Sequence, residues 1–312
     1  MLGPGFRLGL ATAPERIARD RLTFDAWGDR LTLAQYLDRE RTLRQTEHGR
    51  LAMRSWVLRL PNGFVAASCE TFRLPLSPSG AVEVVASVYV ERALRGVKMA
   101  SRLLEAVVES RRAAELDALL LFSEVGTALY ARVGFRRLPA PTRVWSALPA
   151  AASPEGPRGA PPEPLSSLER LLALRREARR GPLDLGLTEP IVEWHLARAR
   201  CYAQALGRPE PGSIGAADGG VVALWAPDFK AEVLRVVEVS GPAGASLEAV
   251  AASARGEAAR LGLRTVELWD DAHSLRLAGP APLEREEPVP MGLAFTPRGE
   301  LLLGPLSRAA WA

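Results

Sequence analysis

At 312 residues the chain exceeds the usual size of one compact domain, so two domains joined by a linker are expected. Its 47% hydrophobic content is that of an ordinary globular protein, and no stretch approaches the ~20 uninterrupted apolar residues of a membrane helix. Basic residues exceed acidic ones by only 40 − 36 = 4 and are interspersed with them, which argues against a nucleic-acid or membrane partner.

Residues 1–16 lack the basic-then-apolar order of an export signal, so a cytoplasmic location is expected. Cys69 and Cys201 stand far apart, and His48, His195 and His273 form no ligand spacing, so neither a metal site nor a disulfide framework is expected. The cysteines read as buried small hydrophobes and the histidines as structural.

In chain order, a short helix is expected near 14–24. Thr32 and Gln35 have capping-box spacing ahead of a helix over about 32–45. Residues 54–60 and 64–72 flank Asn62-Gly63 as a β-hairpin, and 82–90 is rich in β-branched residues, a central strand. From Gly96 the period becomes helical: Val97, Ala100, Ser101, Leu104, Val107 and Val108 share one face, Lys98, Arg102, Glu105, Glu109 and Arg112 the other. A strand at 116–122 follows, then a short helix at 128–133 closed by Gly134, then an extended segment to Trp145.

Residues 149–164 are rich in Pro, Ala and Gly and read as a linker between domains 1–148 and 165–312. In the second half, Ser166 and Glu169 have capping-box spacing for a helix that Gly181-Pro182 ends, and Thr188-Glu-Pro190 opens another that ends at Gly207. Strands at 220–226 and 232–239, a helix at 246–262 and a strand at 264–269 repeat the order of 64–122. That repetition suggests a weak internal duplication.

Chemistry concentrates at 82–104. A strand running into a helix N-terminus presents unpaired amides and the positive end of the helix dipole, an anion site suited to a pyrophosphate. Arg92, Arg95, Lys98 and Arg102 add positive charge there. Tyr130 precedes Gly134-Phe135 by one helical turn.

Arg95-Gly96-Val97-Lys98-Met99-Ala100 and Tyr130-Ala-Arg-Val-Gly134-Phe135 together resemble the acetyl-coenzyme A signature of the GNAT acetyltransferase superfamily. Ser68–Thr71, Ala86–Tyr89, Leu121–Gly126 and Glu193–Arg198 look more narrowly like its fungal lysine N6-acetyltransferase group. The resemblance implies a mixed α/β fold with an N-terminal GNAT domain. The second α/β domain would be smaller, GNAT-like by duplication, and would shape the substrate side.

It further implies direct transfer of an acetyl group to a primary amine, lysine or a related small molecule. Val88, Tyr89, Val90, Arg95, Gly96, Val97, Lys98, Met99, Ala100 and Ser101 would bind acetyl-CoA, with no metal. An amide near Val88 to Val90 would hold the thioester oxygen, and Tyr130 would hydrogen-bond the sulfur and give the thiolate a proton. Glu70 and Glu83, inside apolar strands, and Glu124, just past a strand end, are in that order the candidate bases.

The family's fourth motif position is glycine, where this chain has Lys98. The lysine either points outward to meet a phosphate or crowds the loop and abolishes CoA binding. With the apparent duplication, Lys98 also motivates the alternative of a catalytically impaired acyl-CoA-binding or regulatory GNAT-like protein. Trp194, Trp225 and Trp269 are assigned to the core, with the pocket as their alternative. Oligomeric state is left open.

Overall fold

Thr12 and Thr32 begin the first two helices. Their hydroxyls accept from the amides of Glu15 and Gln35, whose side chains accept in return from the threonine N–H at 2.7 and 2.8 Å. The computed structural model describes residues 5–77, 79–147, 163–164, 168–178, 184–185 and 187–311.

The helices are α1 Ala13–Trp27, α2 Leu33–Gln45, α3 Glu47–Leu51, α4 Met99–Arg112, α5 Ala128–Ala131, α6 Leu168–Ala178, α7 Glu189–Leu206, α8 Glu248–Arg260 and α9 Pro297–Leu301. The strands in the first half are β1 Arg7–Leu10, β2 Met53–Arg59, β3 Val65–Ser77, β4 Ala81–Val90, β5 Ala118–Ser123, β6 Arg136–Arg137 and β7 Pro141–Ser146. Those in the second half are β8 Glu163–Pro164, β9 Asp184–Leu185, β10 Gly215–Asp218, β11 Val221–Asp228, β12 Val233–Ser240, β13 Thr265–Trp269, β14 Leu283–Glu284 and β15 Val289–Ala294.

Two mixed sheets result. The first runs β1-β2-β3-β4-β5-β15-β6, with β9 paired to β3, and the second runs β14-β7-β13-β12-β11-β10-β8. In each, one parallel pair is linked by a helix: β4 to β5 through α4, and β12 to β13 through α8. The preceding strand, β3 or β11, lies antiparallel on the other side. The strand, strand, helix, strand order read twice in the sequence is thus present in both sheets.

The halves also exchange a strand. β15 pairs antiparallel with β5 in the first sheet, and β7 pairs antiparallel with β13 in the second. The Pro/Ala/Gly-rich segment 149–164 lies outside the described residues except for β8, and so do Ser166, Gly181 and Pro182.

Burial explains why β4 and β5 read as nearly continuous apolar runs. Val82, Val84, Ala118 and Leu120 point into a core shared with the second sheet, where they join Leu224, Val237, Ile191 and Leu196. The alternate residues Val85, Leu119 and Leu121 point to the core under α4, with Leu103, Leu104 and Val107. Each such fully buried side chain contributes ~1.5–3 kcal/mol.

α4 differs from expectation in its start and its inner face. It begins at Met99, because Gly96 and Lys98 have φ of 82° and 65°, left-handed values that a right-handed helix cannot include. Its buried residues are Met99, Leu103, Leu104, Ala106 and Val107, while Val97 stands 52% exposed.

Candidate functional site

The parallel ladder between β4 and β5 runs from Val82↔Ala118 to Val85↔Leu121 and stops there, although β4 continues to Val90. Two irregularities turn β4 away: Ser87 has φ 52°, and the register with β3 shifts between Ser68 and Glu70. Beyond Val85 the edge of β4 toward β5 therefore has no strand partner among the described residues. A cavity of about 210 Å³ occupies this fork.

Val84 to Val88, Phe122, Glu124 and Tyr130 line one side of the cavity. α1 and α2 contribute Arg19, Trp27, Tyr36, Arg39, Glu40 and Arg44, and the second half contributes Trp194, Arg198, Lys230 and Trp311. Both halves thus form the cavity wall. The indole N–H groups of Trp194 and Trp311 are buried without a hydrogen-bond partner among the described residues.

One part of the wall is charged and internally balanced. Arg19 donates to Glu70 at 2.8 Å, Arg44 to Asp20 at 2.6 and 2.7 Å and to Glu70 at 3.3 Å, and Arg39 to Glu40 at 2.6 Å. Three guanidiniums meet three carboxylates here, which satisfies groups whose isolated burial would be costly. These carboxylates hold the Arg44 guanidinium above its usual range against the desolvation that opposes it.

Tyr130 sits on α5 and is 7% exposed. Burial pushes its hydroxyl up to about 12, opposed by a hydrogen bond with Ser123 and assisted by the charge of Glu124. The phenol is thus a hydrogen-bond donor throughout the neutral range. Glu124 is exposed and, alone among the cavity-lining glutamates, has no arginine partner among the described residues.

Of the other expected bases, Glu70 lines the cavity but its Oε1 accepts from Arg19 and Arg44. Glu83 does not line the cavity. It is buried and paired with Arg111 at 3.3 Å, a guanidinium that also stacks over Trp56.

Among residues expected to bind acetyl-CoA, Val88 lines the cavity, whereas Tyr89, Val90 and Arg95–Ser101 lie outside its wall, along the end of β4 and the turn into α4. Lys98 occupies the N-cap of α4 with φ 65° and ψ 20°, and no side chain caps the helix. The lysine thus keeps the left-handed backbone that glycine adopts freely, and its side chain is exposed rather than folded into the loop. A Cβ added at Gly96 would meet nothing within 4 Å, so that side of the turn is open. Arg95 stays close, its guanidinium 5.6 Å from the Tyr89 ring centroid.

An open, uncapped turn with left-handed Gly96 and Lys98, two small residues at Gly96 and Ala100, and nearby arginines fits a pyrophosphate. Sequence reasoning missed Arg19, Arg44, Arg198 and Trp311 because each reaches the cavity from a distant element. It placed Trp225 and Trp269 correctly in the core, both 1% exposed. Cys69 is buried as expected, while Cys201 is half-buried.

Residues 188–280 match the family model described as GNAT_LYC1-like, the LYC1 GNAT-like C-terminal domain. Among solved structures, the chain is similar to a GCN5-related N-acetyltransferase from Anabaena variabilis, with a TM-score of 0.58 and 13% identity over 96% of this chain and 75% of that one. It is similar to a GCN5-related N-acetyltransferase from Kribbella flavida, with a TM-score of 0.54 and 17% identity over 93% and 71%. A putative acetyltransferase from Pyrococcus horikoshii aligns with a TM-score of 0.55 and 12% identity over 99% and 97%. A search of curated proteins gave no match.

Likeness at these identities establishes the fold, which is that of the GNAT acetyltransferases. Residues 188–280 carry the GNAT-like C-terminal part of it. Among the described residues, no helix is long and apolar enough to cross a membrane.

Proposed function

We propose that the protein is an N-acetyltransferase that moves an acetyl group from acetyl-CoA to a primary amine by direct attack. The observation that carries this reading is the fork: beyond Val85 the β4 edge toward β5 has no strand partner among the described residues, and its residues 86–88 line a cavity that also holds Tyr130 and Glu124. In this reading the turn at Arg95–Ser101 binds the pyrophosphate, with Lys98 as an outward point charge.

An amide among Val88 to Val90 holds the thioester oxygen as negative charge develops on it. The amine enters from the side of Trp194 and Arg198. It must lose a proton, since alkylammonium groups have a pKa near ~10.4; as the cavity-lining glutamate without an arginine partner among the described residues, Glu124 is our candidate to take it, directly or through water. Glu70 instead secures the wall.

Tyr130 donates a hydrogen bond to the departing sulfur. The phenol's own affinity for its proton exceeds that of a thiolate, whose pKa is ~8.5, so the bond stabilises the leaving thiolate while Tyr130 keeps its proton, and the proton that Glu124 takes from the amine ends on the thiolate or in solvent. The resemblance favours lysine or a related small amine as acceptor.

The test is thiol release from acetyl-CoA across a panel of amines, with mass spectrometry of the product. An acetylated amine supports transfer. Binding of acetyl-CoA without turnover on any amine would favour the acyl-CoA-binding or regulatory alternative.

A further inference from the structure

Beside the main cavity lies a second one of about 30 Å³, walled by α7, the end of β11, β12 and Arg308 near the C-terminus. Arg198, Arg235 and Arg308 line it, against a single carboxylate, Asp228. Arg235 is compensated, because it pairs with Asp228 at 3.5 Å and with Glu267 more closely.

Arg308 is not compensated. It is 7% exposed, its Nε has no hydrogen-bond partner, and it forms no ion pair with any described residue. Its guanidinium lies 4.7 Å from the Trp269 ring and 4.1 Å from the Trp311 ring. The rings, at 76° to each other, meet the charge with π faces and supply no oxygen acceptor to its N–H groups.

Two further groups converge there. His195 lines the same cavity, and its Nε2 is buried without a hydrogen-bond partner among the described residues. Arg198 forms no hydrogen bond or ion pair among the described residues, and it lines both cavities. Three guanidiniums share two carboxylates, Asp228 and Glu267, which leaves one positive charge in excess.

Buried cations in folded proteins are paired or bound, because an isolated one is strongly destabilising. Releasing the proton is no remedy for Arg308: burial, Arg235 and Arg198 all press against its charged form, yet a guanidinium keeps its proton near neutrality. The missing partner is an anion.

We infer that the cavity between α7 and β12 is an oxyanion site. It takes one carboxylate or phosphate group on the N–H edge of Arg308, with Arg198 at the side shared with the main cavity. A volume of about 30 Å³ admits such a group and little more. The oxyanion comes either as a free small anion or as the charged end of a molecule whose body lies in the main cavity. Only the second source rests on the acetyl-transfer reading.

Thermal unfolding of the full chain tests the site with inorganic phosphate, acetate and succinate, at ionic strength held constant with chloride. A free-anion site gives a saturable rise in Tm, weakened about tenfold or more in apparent affinity by Arg198→Gln and by Arg308→Lys. Arg198 is half-buried and outside the tryptophan stack, so Arg198→Gln carries the comparison if Arg308→Lys does not fold.

The second arm measures thiol release with pairs of amines that differ only by a carboxylate. If the anion belongs to the acceptor, Arg198→Gln raises KM about tenfold or more further for the carboxylated member than for its uncarboxylated partner. Absence of thiol release with every amine counts against acetyl transfer and leaves the Tm series to decide the site. If neither the Tm series nor a KM comparison depends on Arg198, the inference is overturned.

Discussion

The guanidinium of Arg19 donates to Oε1 of Glu70 at 2.8 Å, with both side chains buried, and so fastens α1 to β3 in the wall of the main cavity. Arg44 reaches the same oxygen at 3.3 Å from α2. Removing the carboxylate takes from buried Arg19 its nearest partner and from half-buried Arg44 one of its three. Glu70→Ala is expected to destabilise the fold by about 3–5 kcal/mol, read as a lower urea midpoint.

Tyr130→Phe removes the hydroxyl that faces the fork and keeps the ring that packs edge-on against Phe135. Turnover should fall by ~10²–10⁴, with acetyl-CoA affinity and Tm nearly unchanged. Because the hydroxyl keeps its proton up to about 12, its ionisation should not appear in the rate profile between neutrality and pH ~10. Steady-state kinetics across that range checks both statements; full activity in the variant would remove Tyr130 from the mechanism.

Lys98→Gly replaces a side chain held at φ 65° with the residue that tolerates this conformation. The relief of left-handed strain outweighs the entropy glycine loses on folding, so a gain of about 0.5–1 kcal/mol is expected in denaturant unfolding. Lys98→Val, β-branched at the same backbone position, should instead lower stability.

His48 is 7% exposed, against Phe72 and Trp194, and burial lowers its pKa from 6.5 to about 4. A group depressed in the folded state contributes stability above its unfolded pKa and loses it as pH falls. Stability should therefore decline between pH 6.5 and about 4, with His48 contributing on the order of 3 kcal/mol. His195 is lowered for the same reason and adds to the decline. Urea titrations at several pH values should show a flatter acid limb for His48→Leu than for the wild type.

The first-half elements were legible because each carries a local signal. Thr32 and Gln35 mark a helix start, Gly63 at φ 86° turns the hairpin, and Gly134 at φ 96° closes α5. Local signals do not reveal pairing between distant strands. Nothing in 141–146 or 289–294 announces that these segments pair with β13 and β5. The cavity was half legible for the same reason: Tyr130 and Glu124 follow a recognisable strand, whereas Arg198, Arg308 and Trp311 acquire their roles only when the second half closes over the first.

Calorimetric titration of the full chain with acetyl-CoA tests the central claim most directly. The account predicts saturable one-site binding, weakened about tenfold or more by Gly96→Val, which forces a β-branched residue to φ 82° and fills the open side of the turn. Folded protein that gives no binding heat at millimolar acetyl-CoA, or a Gly96→Val variant that binds as tightly as the wild type, would contradict it.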